Sequence, residues 1–282
     1  MPAVDPSYDS EQGLHDVPAT TPEAEAMWRG ILLGTDPRYR DNHALLSRLP
    51  GAPRCYMCSA PFKGAGAVVA RRMGRHPWAK NPHYCSACFL VLEQQHGGAE
   101  VECSLFFADI RGSTSLAENM SPTEFRRILD RFYDAAAKVL HEHEAILDKF
   151  VGDEAVAIFI PALSGDQHAS RAVAAGRALL RATGNGEQDG PWVPIGIGVH
   201  TGIAFVGAVG EGPSTTVTAL GDIVNVAARL ASAAGPGELL VTAEAARAAQ
   251  VETGERRELE LKGKSERVPV VVVRVAEAAA PA

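Results

Sequence analysis

Two hydrophobic periods alternate along most of this chain. From residue 99 onward, apolar runs of strand length trade places with longer stretches that repeat every three to four residues. Val101–Ala108 reads as a buried strand. Ser121-Pro122-Thr123-Glu124 is a capping box with Pro at the first helical position. It opens a helix with Phe125, Ile128, Leu129, Phe132, Ala136, Val139 and Leu140 on one face. Ile146–Val151 and Ala155–Ile160 predict a hairpin turning at Gly152-Asp153. An Ala-rich helix is expected over residues 167–183, and two strands at Val193–Val199 and Ala204–Val209. A short strand, Val217–Leu220, leads into a helix over Asp222–Ala233, and Glu238–Val241 and Val268–Val275 supply further strands. Strands and hairpins interleaved with helices give an α+β class or a mixed α/β sandwich, with no internal repeat.

The first part of the chain has a different texture. Residues 1–20 are polar, rich in Asp, Ser and Pro, and read as a disordered leader. Thr21 can cap a short helix with Pro22 in its first turn, carrying Met27, Trp28, Ile31 and Leu32 on one face. A second short helix is expected over Asp41–Leu49. A cysteine-rich segment then runs from Arg54 to Gln95, and Gly97-Gly98 marks a break. The expected organisation is a leader at 1–20, a helical four-Cys module at 21–98, a larger domain at 99–276 and a loose tail at 277–282.

Composition narrows the class. The chain has 282 residues, 46% hydrophobic and 22% charged, which is ordinary globular material. The longest apolar stretches, such as Val268–Val275, stop well short of a membrane span, and the N-terminus has no apolar signal core. A cytoplasmic location with no membrane partner is expected. The five cysteines then point to metal binding or core packing, not disulfides. The net charge of −7 argues against a nucleic-acid partner. The basic stretch Arg71, Arg72, Arg75, His76 and Lys80, with Trp78, reads as a solvated loop.

Cys55-x-x-Cys58 and Cys85-x-x-Cys88 are paired knuckles near zinc-ribbon spacing. Four thiolates around a structural Zn²⁺ would let a segment with little apolar core fold. An iron–sulfur cluster uses the same four-Cys logic, and a dithiol pair also stays open. His76, His83 and His96 lie nearby, but four cysteines complete a site. Cys103, inside the first strand of the larger domain, reads as a buried small residue.

Two carboxylates carry the chemistry. Asp109 ends the run Phe106-Phe107-Ala108, and Asp153 sits in the turn of the predicted hairpin. An ionised Asp gains nothing beside such runs unless something pairs with it. Two at the rims of apolar strands suggest a shared hard cation, Mg²⁺ or Mn²⁺, and hence phosphate chemistry.

Four motifs follow in order: Phe107-Ala108-Asp109-Ile110-Arg111-Gly112-Ser113-Thr114, Lys149-x-x-Gly152-Asp153, Gly198-Val199-His200-Thr201-Gly202, and Gly221-Asp222-x-Val224-Asn225-Val226-Ala227-Ala228-Arg229. Together they resemble the catalytic domain of class III nucleotidyl cyclases. The resemblance implies a ferredoxin-like, cyclase-type sheet with helices packed on it. It implies attack of a ribose 3′-hydroxyl on the α-phosphate, with pyrophosphate leaving. By the same resemblance, Asp109, Asp153 and the carbonyl of Ile110 hold two metals. Backbone amides at Gly112, Ser113 and Thr114 cradle the triphosphate, as a helix start can. Asn225 orients the ribose and Arg229 stabilises charge at the α-phosphate; four apart on a helix, they share a face. Lys262 matches a lysine that contacts the terminal phosphates, although Lys264 is its neighbour.

Lys149 matches the family's purine-reading lysine, and Thr218 stands where many adenylyl cyclases have Asp. The pair is similar to a bacterial subclass with Thr at that position, and implies ATP as substrate. Guanylyl cyclases typically carry Glu and Cys at these positions. Ile203 departs from members with a phosphate-binding Arg in the loop after His200, and His200 reads as structural. The family geometry also implies a homodimer with two shared sites. A guanylyl cyclase, or a catalytically silent dimerisation module, are the alternative readings.

Overall fold

The computed structural model describes residues 20–275 apart from Lys80, Gln188, Glu211 and Ser265. Residues 1–19 of the expected leader, the expected tail at 277–282 and the expected place of Lys80 lie outside the described residues. In chain order, the first part holds α1 (Pro22–Leu32), α2 (Pro37–Ser47), α3 (Ala65–Arg72), β1 (Pro77–Trp78), β2 (Asn81–Cys85) and α4 (Ser86–Gln94). Then come β3 (Gly97–Ile110), α5 (Ser113–Glu118), α6 (Pro122–Glu142), β4 (Ile146–Val151), β5 (Glu154–Phe159), α7 (Pro161–Ser164) and α8 (His168–Ala182). The chain closes with β6 (Ile195–Val209), β7 (Thr216–Leu220), α9 (Asp222–Ala233), β8 (Glu238–Thr242), α10 (Ala243–Ala248), β9 (Glu255–Leu259) and β10 (Val268–Arg274).

The α+β class holds. β3-α6-β4-β5-α8-β6 is a βαββαβ unit with strand order β4-β5-β3-β6, and β8, β10 and β9 extend the sheet. Alternation along β3 splits its side chains between two layers. Phe106, Ala108 and Ile110 pack with Phe132, Val139 and Leu179 from α6 and α8. Val101, Cys103, Leu105 and Phe107 face the other way, into a cluster shared with Trp28, Leu46, Phe62 and Tyr84. The cysteine module and the sheet therefore share one apolar core. Trp28 fixes the entry by donating its indole N–H to the Gln95 carbonyl at 2.9 Å.

α6 begins as expected. Ser121 accepts from the Glu124 amide, and Glu124 reaches back to the Ser121 N–H. Three expectations are corrected. Val193–Val199 and Ala204–Val209 are not separate strands but one, β6. Thr201-Gly202-Ile203 stays extended because β3 pairs with it throughout, Cys103 opposite Gly202 and Glu102 opposite Ile203. Gly97-Gly98, the expected break, opens β3 and pairs with Ala208 and Gly207. The second helix also starts four residues early, because Asp36 accepts from the amides of Arg38 and Tyr39 and Pro37 takes the first turn.

β4 and β7 lie on opposite margins of the β4-β5-β3-β6-β7 path, yet their side chains meet: Lys149 Nζ is 3.1 Å from Thr218 Oγ1. Sheet twist and missing side chains let the sheet curl this far. A Cβ at Gly207 would lie 2.3 Å from the Gly97 carbonyl, and one at Gly98 2.4 Å from that of Val206. Gly198 has the same role beneath α9, where a Cβ would lie 2.5 Å from both Ala227 O and Ala231 N.

Gly198→Ala should therefore push α9 off β6 and cost about 1–3 kcal/mol, as overpacking does. Chemical denaturation of the purified protein reads this loss.

Candidate active site

The site residues fall into three groups. The first is acidic. Asp109 closes β3 and pairs across the ladder with Glu154, and Ile110 donates its amide to the Asp153 carbonyl at 3.2 Å. Both carboxylates thus come from adjoining strand ends. The turn that carries Asp153 is anchored from α6: Tyr133 donates its hydroxyl to the Gly152 carbonyl and stacks on Phe150, ring centroids 4.2 Å apart. Arg111, given no role in the sequence reading, pairs with the Asp109 carboxylate. It also donates to the Ser232 carbonyl on α9 at 2.9 Å. Burial pushes the Glu154 carboxyl up, with the neighbouring Asp153 charge adding to it. Gly112 then turns the chain at φ 70°, and α5 starts at Ser113 and Thr114 with no side-chain cap on its amides.

The second group lies on α9 and the loop before β10. Asn225 is exposed and Arg229 half-buried on one face of α9. A Cβ at Gly263 would lie 3.4 Å from Arg229 Nη2, so the Lys262-Gly263 turn abuts that guanidinium. Lys264 is taken up by Asp222, which leaves Lys262 as the exposed lysine of the pair.

The third group is the Lys149–Thr218 contact. Asp148, which the sequence reading passed over, completes it. Thr218 donates its hydroxyl to Asp148 Oδ2 at 2.8 Å, and Lys149 Nζ lies 3.3 Å from the same oxygen. A β-bulge explains why neighbours in sequence share a face. Leu147 pairs with Ala157 and Lys149 with Val156, so Asp148 is the extra residue. Burial pushes the Asp148 carboxyl up, while the Lys149 charge and the Thr218 hydrogen bond pull it down. Among the described residues, no hydrogen bond or ion pair joins the side chain of Asp153 to Lys149, Thr218, Asn225 or Arg229.

The four expected cysteines come together: their Sγ atoms lie within 4.8 Å of one another and all four residues are buried. Hydrogen bonds from the other three favour the Cys85 thiolate, at the expense of Cys58 and Cys88, whose thiols are pushed up. The donor set suits a soft or borderline cation. Arg75 points inward, its Nη1 3.6 Å from Cys88 Sγ, and Trp78 stacks on Phe89, so that stretch is not a solvated basic loop throughout. Cys103 is buried as expected, and its thiol is pushed up to about 12 by burial.

The module also touches the third group. Tyr84, next to Cys85, accepts from the Val217 amide at 2.9 Å and bonds the Thr216 hydroxyl at 2.9 Å. Asn81 donates to the Thr215 carbonyl at 3.1 Å. An open cleft of about 460 Å³ results, with Tyr56, Pro82, His83 and Tyr84 on one wall and Asp148, Lys149 and Phe150 on the other. A cleft of about 630 Å³ between α6 and the Cys55 turn includes none of the acidic, α9 or Thr218 residues. His200 is half-buried and bonded to Thr242 Oγ1 at 2.9 Å, a structural role. Ile203 sits on β6, 67% exposed, and not in a loop.

A family model described as "Adenylate and Guanylate cyclase catalytic domain" matches residues 97–273. An adenylate cyclase of Anabaena cylindrica is 33% identical over 132 residues, 45% of this chain and 26% of that protein. An uncharacterised protein of Mycobacterium tuberculosis is 34% identical over 157 residues, 55% of this chain and 29% of that protein. The chain thus spans under a third of the length of these curated relatives. Among solved structures, the adenylyl cyclase CyaB from P. aeruginosa superposes with a TM-score of 0.56 at 28% identity, covering 64% of this chain and 98% of that one. The guanylyl cyclase Cya2 does so at 0.57 and 29%, covering 64% and 96%. No helix among the described residues is long and apolar enough to cross a membrane.

Replacing Tyr84 by Phe strands the Val217 amide and should cost about 1–2 kcal/mol. Urea unfolding measures the loss, and amide hydrogen exchange at β7 locates it.

Proposed function

This chain belongs to the adenylate and guanylate cyclase catalytic domain family, and from that premise we propose that it is an adenylyl cyclase making 3′,5′-cyclic AMP and pyrophosphate from ATP. The observation that carries the choice of base is the contact between Lys149 and Thr218. An adenine edge presents a ring-nitrogen acceptor beside an amino donor. Lys149 is a donor only, and Thr218 can accept. Guanine presents the reverse pattern, and its ring N–H would face the Lys149 ammonium, donor against donor.

The acidic group fits a divalent cation. Asp109 and Asp153 are hard oxygen donors on adjoining strand ends, and the carbonyl of Ile110 is the third donor in this reading. Two cations, Mg²⁺ or Mn²⁺, would supply charge neutralisation on the triphosphate and acidify the ribose 3′-hydroxyl. The other roles fall to the chain. Amides at Gly112, Ser113 and Thr114 receive triphosphate oxygens at the start of α5. Asn225 fixes the ribose. Arg229 places a planar guanidinium against the α-phosphate, where charge grows in the transition state. Lys262 reaches the terminal phosphates. The separation of the acidic group from the readers supports a homodimer, in which one copy supplies Asp109 and Asp153 and the other Lys149, Thr218, Asn225 and Arg229.

The four-Cys cluster supports a structural Zn²⁺ site held by Cys55, Cys58, Cys85 and Cys88, with an iron–sulfur cluster as the competing outcome. Through Tyr84 the module has a route to regulate base reading. Elemental analysis should find one zinc per chain and no visible absorbance. Cys58→Ser should lose the metal and lower the unfolding temperature; iron with a visible band would replace this reading.

Turnover of purified protein with each nucleotide tests the function, and the expected result is ATP well ahead of GTP. Asp153→Ala should abolish turnover, as should Arg229→Ala. Mixing the two should restore part of it, because a heterodimer rebuilds one complete site. A verified heterodimer with no recovery would overturn the shared site, and a clear GTP preference would overturn the adenine assignment.

A further inference from the structure

We propose that Asp148 determines base specificity by fixing the direction of the Thr218 hydroxyl. This rests on the reading of Lys149 and Thr218 as the base-contacting pair and adds a residue to it. A threonine hydroxyl is ambiguous as a reader. It has one hydrogen to give and two lone pairs, so alone it can accept from the amino group of adenine or donate to the carbonyl oxygen of guanine. Asp at this position could only accept. A chain that uses Thr there needs something else to remove the ambiguity.

Asp148 does so. The Thr218 hydroxyl hydrogen is committed to Asp148 Oδ2 at 2.8 Å. Lys149 Nζ occupies one lone pair at 3.1 Å and also lies 3.3 Å from Asp148 Oδ2, where its positive charge favours the accepting carboxylate over the neutral acid. One lone pair of Thr218 then remains, and it can only accept. Asp148 is 6% exposed, too deep to be displaced cheaply by solvent. Its other oxygen, Oδ1, is buried without a hydrogen-bond partner, which is costly for a group kept only for packing. The bulge at Asp148 brings it to the reading face; regular alternation would have turned it away from Lys149. Asp148 lines the cleft between β4 and the cysteine module, where a base would enter. Asp148 is a positioning residue: it acts on the base through Thr218 and Lys149.

The test is the ratio of kcat/KM for ATP to that for GTP in the full chain. Asp148→Ala should free the hydroxyl and lower this ratio up to about tenfold, the worth of one hydrogen bond. The change should lie in KM, with KM for ATP rising and that for GTP unchanged or falling. Asp148→Asn keeps an accepting oxygen and should retain most of the ratio. In a Thr218→Val background, Asp148→Ala should change the ratio no further. Asp148→Leu, close in size, carries the same test if the alanine protein fails to fold. A residue that only packs would lower activity toward both nucleotides alike, so an unchanged ratio in a folded Asp148→Ala or Asp148→Leu protein overturns the proposal. Failure of both to fold overturns it as well, since Asp148 would then be a folding residue. A wild-type chain that prefers GTP, or turns over neither nucleotide, removes the adenine reading itself and the Asp148 role with it.

Discussion

The ladder between β3 and β6 is the constraint on which everything else depends. It runs unbroken from Gly97 opposite Ala208 to Ile110 opposite Ile195. One end of it delivers Asp109 to the rim of the sheet. The other end carries β7, and with it Thr218. A flat sheet would leave these margins far apart. The curl permitted at Gly98 and Gly207 brings β7 round to β4, and the Lys149–Thr218 contact follows from that curl. Gly198 in β6 likewise lets α9, which carries Asn225 and Arg229, settle close against the sheet.

The cysteine module is joined to this frame by a shared core, not by a tether. Tyr84 is fully buried and spends its hydroxyl on β7, one residue from a cysteine of the cluster. That hydroxyl ties the segment holding Cys85 to the strand that carries Thr218. The connection is short: Cys85, Tyr84, Val217, Thr218.

Much of this was legible in the sequence, for identifiable reasons. The capping box of α6 and the turn at Gly152-Asp153 announce themselves locally, and both stand where expected. α9 was bounded correctly because its apolar face is interrupted by only a few polar residues. The continuity of β6 was not legible, since Thr201-Gly202 resembles a turn until β3 is known to run the whole distance beside it. α3 and α4 were missed because cysteines, glycines and short lengths blur a helical period. Within the site, residues fixed by local motifs could be named in advance. Asp148 and Tyr84 could not. The role of the first depends on a bulge, which period-two reasoning misplaces, and that of the second on a contact across 133 positions of chain.

The bulge in β4 has a further consequence. β4 is a margin of the main sheet, and a regular margin strand offers its free amides and carbonyls to any other strand that approaches. The extra residue at Asp148 breaks that row, and the charged Lys149 beside it discourages docking. Edge-to-edge annealing of two sheets, the usual route from an open margin to fibrous aggregates, is disfavoured here. An approaching strand meets that broken row on the same margin where the cleft lined by Asp148 and Lys149 opens.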